Sequence, residues 1–203
     1  MKNNLPAKLF IIDLYGVICV GSYRDICRDI VKKYHLPFKK VYDVVYHKYF
    51  NASALGKISE ADSFRLAVEN LGISEDWRKL RKTHYKYITV TNHANLKYAL
   101  DLKKRGYEVL LLSKNTPPQF EHTVKKLKLR RKFRNVINTH SLGLPKASPK
   151  TIRLMLKKFK AKPGETIMID DQDFNLVEAK KQGVHMILYR NPKQLKKETE
   201  RLF

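Results

Sequence analysis

Cysteine is nearly absent from this chain of 203 residues, which contains only Cys19 and Cys27. Two cysteines cannot build a disulfide framework or a zinc site of several thiolates, and such scarcity predicts a protein of the reducing cytoplasm. Long apolar runs are missing as well. No stretch approaches the roughly 20 residues that cross a bilayer, and residues 1–6 lack the apolar centre of a signal peptide. These absences exclude a disulfide scaffold and argue against a membrane protein.

Acidic residues are the second scarcity. The chain has 19 Asp and Glu against 42 Lys and Arg, which gives a formal net charge of +23. Such a field attracts polyanions and phosphorylated ligands. A lysine-rich composition without any role in binding explains the same excess, so nucleic acid is a partner that the sequence allows but does not favour.

The chain does have enough apolar residues for a core. Hydrophobic residues make up 43% of it, which suits one large domain, or a core domain with a smaller insertion, and argues against extensive disorder. Residues 9–12 form a short apolar run that ends at Asp13, as expected of a buried strand, and Gly16 follows where the chain must turn. Residues 18–91 then show the spacing of amphipathic helices without convincing strands.

Helices and strands alternate after residue 92. Strands are predicted at 109–112, 135–139, 166–169 and 186–189. Helices between and after them are predicted from turn and cap signals, among them Thr116 as an N-cap, Pro149 as a first helical residue, and Gly106 and Gly183 as helix ends. Strands separated by helices indicate a parallel sheet with helices on both faces. The class is therefore α/β, with a helical insertion after the first strand.

Acids are concentrated at the predicted strand ends. Asp13, Asp170, Asp171 and Asp173 all stand at or just beyond such an end. Ligands of an open parallel sheet bind outside the carboxyl ends of its strands. Carboxylates from two neighbouring ends can converge on one hard cation such as Mg²⁺, which prefers oxygen ligands. A cation site is therefore expected at this edge.

Two further residues offer phosphate-binding chemistry. Ser113 ends a third predicted strand, and Lys146 lies in the loop before a helix. A hydroxyl donor and a point positive charge both suit phosphate oxygens. Each residue alone is weak evidence for a phosphate site. Their order along the chain, together with Asp13 and the Asp170–Asp171 pair, is much stronger evidence.

With these residues in place, the sequence resembles the haloacid dehalogenase superfamily of hydrolases over nearly its whole length. Four stretches are similar to the four family motifs: LFIIDLYGV, LLLSKN, LPKASP and IMIDDQDFN. The stretch Gly56-Lys57-Ile58-Ser59 resembles the cap segment of the subfamily whose helical cap follows the first motif. The branch that it resembles most includes sugar-phosphate phosphatases and the amino-terminal domain of epoxide hydrolases.

The resemblance implies an architecture. It predicts a Rossmann-like core built from residues 1–17 and 92–203, and a helical cap built from residues 18–91. The family fold does not define a substrate, since one fold hosts many activities. Oligomeric state is not implied either.

The resemblance also implies a chemistry, Mg²⁺-dependent hydrolysis of a small phosphate monoester in two steps. Asp13 would attack phosphorus and form an aspartyl phosphate that water then hydrolyses. Mg²⁺ would be held by the Asp13 carboxylate, the backbone carbonyl of Tyr15 and the Asp171 carboxylate. Ser113 and Lys146 would neutralise the transferring oxygens.

The remaining site residues follow from the same motifs. Asp170 would orient Lys146 or a metal-bound water. Asn175 matches the recurrent asparagine of the fourth motif loop. Lys114 and Asn115 follow Ser113 where the family often has an asparagine directly after the serine, so both are substrate-binding candidates. A loop lysine is ordinarily solvated, however, and we favour that interpretation of Lys114 slightly.

Tyr15 departs from the family pattern. Family phosphatases carry an aspartate at that place as the general acid for the leaving group, and losing such an acid typically costs roughly 10²–10⁴ in rate. Tyr15 therefore predicts a slow phosphatase, or one for substrates with good leaving groups. It also leaves open a silent protein that binds a phosphoryl ligand or a partner. A metal-free dehalogenase, which has a tyrosine here, is disfavoured because that branch lacks the acidic fourth motif.

A basic stretch lies outside these motifs. It has seven cations in ten residues: Lys125, Lys126, Lys128, Arg130, Arg131, Lys132 and Arg134. We favour a helix end whose cations suit the C-terminal dipole and whose interleaved apolar residues pack inward. A polyanion contact is the alternative.

Overall fold

The computed structural model describes residues 8–202, so residues 1–7 and Phe203 at the ends of the predicted core lie outside the described residues. A parallel five-stranded sheet in the order β3–β2–β1–β4–β5 is its centre. The strands are β1 (Leu9–Ile12), β2 (Glu108–Ser113), β3 (Asn135–Asn138), β4 (Thr166–Asp170) and β5 (His185–Leu188). This confirms the α/β class and the strands predicted from the apolar runs.

The central strand β1 is buried on both faces, which explains its uninterrupted apolar run. Phe10 and Ile12 face one hydrophobic cluster, and Leu9 and Ile11 face another on the opposite side of the sheet. Ile12 pairs in register with residues of both neighbouring strands, so the ends of β1, β2 and β4 lie side by side.

Helices cover both faces of this sheet, as expected. They are α6 (His93–Lys104), α7 (Pro117–Lys126), α8 (Leu129–Lys132), α9 (Pro149–Phe159), α10 (Asp173–Lys181) and α11 (Pro192–Glu200). Apolar residues of α6, α7, α8 and α11 join the cluster around Phe10, whereas those of α9 and α10 join the cluster around Leu9. Leu129 and Phe133, which interleave the basic stretch, are buried in the first of these clusters.

The helical insertion, which we define as Tyr23–Tyr87, connects β1 to α6. It contains α1 (Tyr23–Tyr34), α2 (Phe38–Tyr42), a π-helical segment (Asp43–Phe50), α3 (Asn51–Ala54), α4 (Glu60–Leu71) and α5 (Trp77–Tyr87). A capping box at Ser22 and Asp25 starts α1, and the Ser59 side chain accepts a hydrogen bond from the Asp62 backbone at the start of α4. These helices pack around a hydrophobic cluster of their own.

Three details differ from the sequence expectations. Ile18 and Cys19, the first residues of the predicted cap segment 18–91, pack in a core cluster beside the sheet, and that division of the chain stays a prediction. Thr116 is the N-cap residue of α7, but its hydroxyl makes no capping hydrogen bond. Thr139 lies in a 3₁₀ turn after β3 because the pairing with β2 ends one residue earlier.

No helix within residues 8–202 is both long and apolar enough to cross a membrane.

Candidate active site

The sheet brings the motif residues to one edge. Asp13 directly follows β1, Ser113 is the last residue of β2, and Asp170 is the last residue of β4. Because these strands are parallel neighbours, their carboxyl ends meet, and residues more than 150 positions apart become adjacent.

Lys146 connects the two strand-end acids. Its ammonium lies 2.5 Å from Asp13 Oδ1 and 2.7 Å from Asp170 Oδ2, and the side chain is only 1% exposed. Asp170 Oδ1 in turn accepts hydrogen bonds from the Gln172 backbone at 2.9 Å and from Asn175 Nδ2 at 3.0 Å. Lys146 is therefore held in one position by a carboxylate that is itself held by its own loop.

Burial sets the electrostatics of this cluster. It raises the pKa of Asp13 well above the ordinary value for a carboxyl group, with the charge of Lys146 opposing and those of Asp170 and Asp171 adding to it. Burial works against a charged Lys146, but the carboxylates of Asp13 and Asp170 outweigh it and raise its pKa. Burial, with the neighbouring Asp170 charge, also raises the pKa of Asp171 to about 6. Three carboxyl groups therefore share the one positive charge of Lys146, and without a further cation their joint ionisation is opposed.

The residues present fit a divalent cation. Asp13, Asp170 and Asp171 each offer a carboxylate oxygen within 4.8 Å of the others. Asp171 Oδ1 is buried without a hydrogen-bond partner. Gly16, at φ +95°, makes room for this carboxylate, because a Cβ atom there would lie 2.4 Å from it. Oxygen donors of this kind suit a hard cation such as Mg²⁺.

Tyr15 directs its hydroxyl away from the carboxylates. The hydroxyl donates a hydrogen bond of 3.3 Å to the backbone carbonyl of Gln119 in α7. Burial raises the pKa of this phenol well above its ordinary value. Tyr15 also lines the cavity described below, so this residue borders the site while its proton is engaged elsewhere.

Ser113 and Asn115 differ in whether they reach the cavity beside Asp13. Ser113 is fully buried, its hydroxyl has no hydrogen-bond partner, and it is not among the residues that line the cavity. Asn115 does line the cavity, but its side-chain oxygen accepts a hydrogen bond from the Thr116 backbone at 2.7 Å. Asn138, at the end of β3, holds the Asn115 backbone from both sides, and sequence reasoning missed this positioning residue.

Lys114 is not a solvated loop lysine, contrary to the interpretation that we favoured. Its ammonium donates hydrogen bonds to the Tyr46 hydroxyl at 3.2 Å and to Asn51 Oδ1 at 3.1 Å, both on the insertion. It also lies 5.0 Å from the ring centroid of Tyr46 and 5.6 Å from that of Phe50. Burial, followed by repulsion from Lys146, lowers the pKa of Lys114 to about 8. Residues of the insertion therefore surround the Lys114 ammonium.

A cavity of about 50 Å³ lies between these core residues and the insertion. Asp13, Lys146 and Asp171 line it from the core. The insertion contributes a basic residue and four aromatic rings: Arg24, Tyr23, Tyr42, Tyr46 and Phe50. The insertion therefore covers part of the site beside Asp13 and narrows the space above it.

Sequence reasoning missed the insertion residues of this cavity. Phe50 is buried in the insertion cluster. Tyr46 packs in the same cluster, and its hydroxyl also donates to Gln172 Oε1 of the fourth motif loop at 3.0 Å. Asp173, counted among the strand-end acids, is exposed and starts α10. It is not part of the three-carboxylate group.

Comparison with protein families decides the assignment. A family model described as haloacid dehalogenase-like hydrolase matches residues 7–183. The chain belongs to this family of hydrolases. The match covers all four motif stretches and the insertion between the first two, and it confirms the resemblance drawn from the motifs.

Individual relatives are more distant. The bifunctional epoxide hydrolase 2 of Sus scrofa is 29% identical over 115 residues, which cover 55% of this chain but only 21% of that protein. The chain thus corresponds to about a fifth of that relative.

Two solved structures share the fold. A haloacid dehalogenase family enzyme from Bacteroides thetaiotaomicron, in complex with magnesium and inorganic phosphate, superimposes with a TM-score of 0.71 at 20% identity, covering 91% of this chain and 94% of that one. The L-2-haloacid dehalogenase of Xanthobacter autotrophicus, with covalently bound chloropropionic acid, gives 0.65 at 16% identity, covering 96% and 82%. At these identities the likeness shows the fold alone.

Proposed function

We propose that this protein is a Mg²⁺-dependent phosphatase that hydrolyses a small phosphate monoester. The observation that carries the proposal is the buried Asp13–Lys146–Asp170 chain beside the carboxylate of Asp171. A nucleophilic carboxylate, a fixed cation and a cation-binding acid pair are the groups that phosphoryl transfer requires. The complex of the Bacteroides relative with magnesium and phosphate supports the same chemistry.

Asp13 is the proposed nucleophile. Its free carboxylate oxygen attacks phosphorus as the bond to the leaving oxygen breaks, which forms an aspartyl phosphate. Water then attacks this intermediate, phosphate departs, and the Asp13 carboxylate is regenerated. Lys146 neutralises charge on the transferring oxygens, and Asp170 keeps its ammonium in place through the 2.7 Å ion pair.

The metal requirement follows from the excess of carboxylates. When bound, Mg²⁺ would neutralise this charge and polarise the phosphoryl group as a Lewis acid. The Asp13 and Asp171 carboxylates and the backbone carbonyl of Tyr15 would hold it. Ser113 and Asn115 remain proposed contacts of the phosphoryl group, and the orphaned Ser113 hydroxyl has a hydrogen bond to donate.

The insertion, with the few residues on either side of it, acts as the cap in this proposal. The proposed cap spans residues 18–91 and the proposed core spans residues 1–17 and 92–203, with the cavity at their junction. Lys114 and Arg24 are the cations that the substrate meets on the cap side of Asp13. Because insertion residues form one side of this cavity, they would contact the part of the substrate beyond its phosphate group.

Tyr15 supports a second candidate function. Its proton is engaged by the Gln119 carbonyl, so the site has no evident acid for a poor leaving group. A silent protein that binds a phosphoryl ligand without hydrolysing it fits that observation. A dehalogenase fits less well, because the paired acids Asp170 and Asp171 serve a cation that dehalogenation does not need.

A substrate screen tests the proposal. Sugar, nucleotide, acyl and aryl phosphates are incubated with the protein in Mg²⁺ and, separately, in a chelator, and released phosphate is measured. We expect turnover of at least one ester with Mg²⁺ and none after chelation. If no ester is hydrolysed while phosphate stabilises the protein against heat in the presence of Mg²⁺, the silent binding protein is correct.

A further inference from the structure

We propose that the groove between α5 and α7 binds single-stranded nucleic acid. The groove has a volume of about 440 Å³ and is lined by Trp77, Arg78, Arg81, Lys82 and Tyr85 of α5 and by His122 of α7. None of these residues lines the cavity over Asp13. The groove is therefore a site separate from the proposed phosphatase centre.

Helix α5 is strongly positive. Its 11 residues include five cations and no acid: Arg78, Lys79, Arg81, Lys82 and Lys86. The neighbouring α4, with 12 residues, has Glu60, Asp62 and Glu69 against a single cation, Arg65. The two neighbouring helices therefore differ in charge, and the positive charge belongs to α5.

Glu60 fixes one wall of the groove and neutralises Arg81, but not the other cations of that wall. It is buried, and its Oε2 accepts hydrogen bonds from Arg81 Nε at 3.1 Å and Nη2 at 2.7 Å. The Tyr85 hydroxyl donates to Glu60 Oε1 at 2.8 Å. Among the residues that the structure describes, no carboxylate forms an ion pair with Arg78 or Lys82, so both exposed cations are available to a phosphate backbone.

Aromatic rings stand at both ends of the same face. Trp77 is the sole tryptophan of the chain, and the Arg78 guanidinium lies 4.5 Å from its ring centroid. Tyr85 contacts the His122 ring at 4.8 Å. Tyr85 follows Trp77 by eight positions, which places the two residues about 12 Å apart along α5. Rings with cations between them suit unpaired bases, which stack on aromatic side chains as duplex bases cannot.

The basic surface continues beyond the groove. Lys126 Nζ donates a hydrogen bond of 2.9 Å to Thr89 Oγ1, which fixes the end of α7 beside the end of α5. Further exposed cations follow on α7 and just after it: Lys125, Lys126, Lys128 and Arg131. Several cations close together in the chain suit a polymer of phosphates better than one small anion.

Trp77 makes the proposal directly measurable. As the only tryptophan, it reports on the groove through the intrinsic fluorescence of the unmodified protein. We expect an oligothymidylate of about 12 nucleotides, within the usual range of single-strand site sizes, to quench this fluorescence. A duplex of the same length should quench it far less.

The affinity of variants for a labelled oligonucleotide shows which residues contact it. Arg78→Gln combined with Lys82→Gln should reduce the slope of log affinity against log salt by about 1.4, since each single-strand phosphate contact contributes about 0.7. The matched control is Lys193→Gln combined with Lys197→Gln on α11, which contacts β5 at one edge of the sheet. The control should leave the slope unchanged.

Trp77→Ala should weaken binding by about 5-fold or more, because stacking on one base is lost. Trp77→Phe should retain binding within about 3-fold, because the ring remains. Thermal unfolding of each variant separates loss of contact from loss of fold.

Any of these outcomes would overturn the proposal: no quenching at low salt, equal binding of duplex, the same loss in the control pair, or Trp77→Ala folded and binding like wild type. Asp13→Asn should bind the oligonucleotide normally. If it does not, the oligonucleotide occupies the active-site cavity and the groove is not its site.

Discussion

The core and the insertion hold their charges in different ways where they face each other. In the core, Lys146 lies within 2.7 Å of two carboxylates that stand at strand ends. On the insertion side, Lys114 and Arg24 contact aromatic rings, and Lys114 donates to a hydroxyl and an amide oxygen. The core charges are arranged before a ligand arrives, whereas the insertion side offers positive charge to one. Under the proposed function, the core would supply the chemistry, and the cations that contact the insertion would contribute to selectivity.

Burial affects titratable groups of both regions by the same rule. It raises the pKa of the Asp13 carboxyl in the core, and it lowers the pKa of His84 in the insertion to about 3. In each case the neutral form is favoured. Since an acid and a base respond oppositely, the metal-free core is destabilised as pH rises, and the insertion is destabilised as pH falls.

Asp13→Asn gives the largest expected effect. If the core contains all the chemistry, this variant should lose roughly 10⁴-fold or more of any phosphatase activity, the scale seen when a nucleophile is removed. Its thermal unfolding midpoint without metal should be unchanged or higher, because one of three mutually repelling carboxylates is gone. Unchanged turnover would place the activity elsewhere in the chain or in a contaminant.

Asp171→Asn tests the cation site of the core. We expect the Mg²⁺ concentration for half-maximal activity to rise by roughly 10–100-fold, a range typical of lost supporting groups at metal sites. Asp173→Asn, which removes an exposed carboxylate two residues later, is the matched control. The same Mg²⁺ response in both variants would contradict the three-carboxylate site.

His84 tests the opposite response of the insertion. Its ordinary pKa of about 6.5 is retained in the unfolded chain, so stability is complete above that pH and is lost as pH falls toward 3. At pH 4.5 the loss amounts to roughly 2–3 kcal/mol, which His84→Leu should abolish. The measurement is the unfolding free energy of both proteins at pH 4.5 and 7.5. An equal pH dependence in the two would show that His84 is not buried in its neutral form.

Lys114→Met tests selectivity on the insertion side. The variant keeps a long apolar side chain against the rings of Tyr46 and Phe50 but removes the charge. We expect KM to rise by about 10-fold, because one charged hydrogen bond to the substrate is lost. We expect little change in kcat. Lys57→Met removes an exposed insertion lysine and should leave both constants unchanged. A fall in kcat at constant KM would instead place Lys114 in the chemical step.

Tyr15→Phe gives the smallest expected effect. Because the hydroxyl donates to the Gln119 carbonyl, its removal should change kcat by less than about 3-fold, well short of the 10²–10⁴ of a general acid. The measurement is kcat of the wild type and of the variant, each with an alkyl and an aryl phosphate. A large loss confined to the alkyl ester would identify Tyr15 as the proton donor after all.

Much of the core could be predicted from the chain itself. An apolar run such as residues 9–12 can be buried only as a strand between helices, and acids directly after such runs must emerge at the carboxyl edge of a parallel sheet. The resemblance to the family rested on the motif stretches around Asp13, Ser113, Lys146 and the Asp170–Asp171 pair, and the family model confirmed it. Their roles in catalysis stay predictions.

The insertion could not be predicted in the same way. Helical spacing identifies one apolar face, but it does not separate a buried tyrosine from one that also reaches a cavity. Tyr46 meets Gln172 across 126 residues of chain, and Lys114 meets Asn51 across 63. Such contacts depend on how the insertion packs on the sheet, which no local pattern contains.

The sequence by itself determined the parallel sheet, the acids at its carboxyl edge and the family, because strand burial and strand-end position are local properties of the chain. Only the tertiary structure decided that the Tyr15 hydroxyl bonds to Gln119, that the Ser113 hydroxyl is buried without a partner, and that Lys114 is enclosed rather than solvated. Those outcomes arise from packing between segments distant in sequence, where burial and available partners decide the position of each polar group.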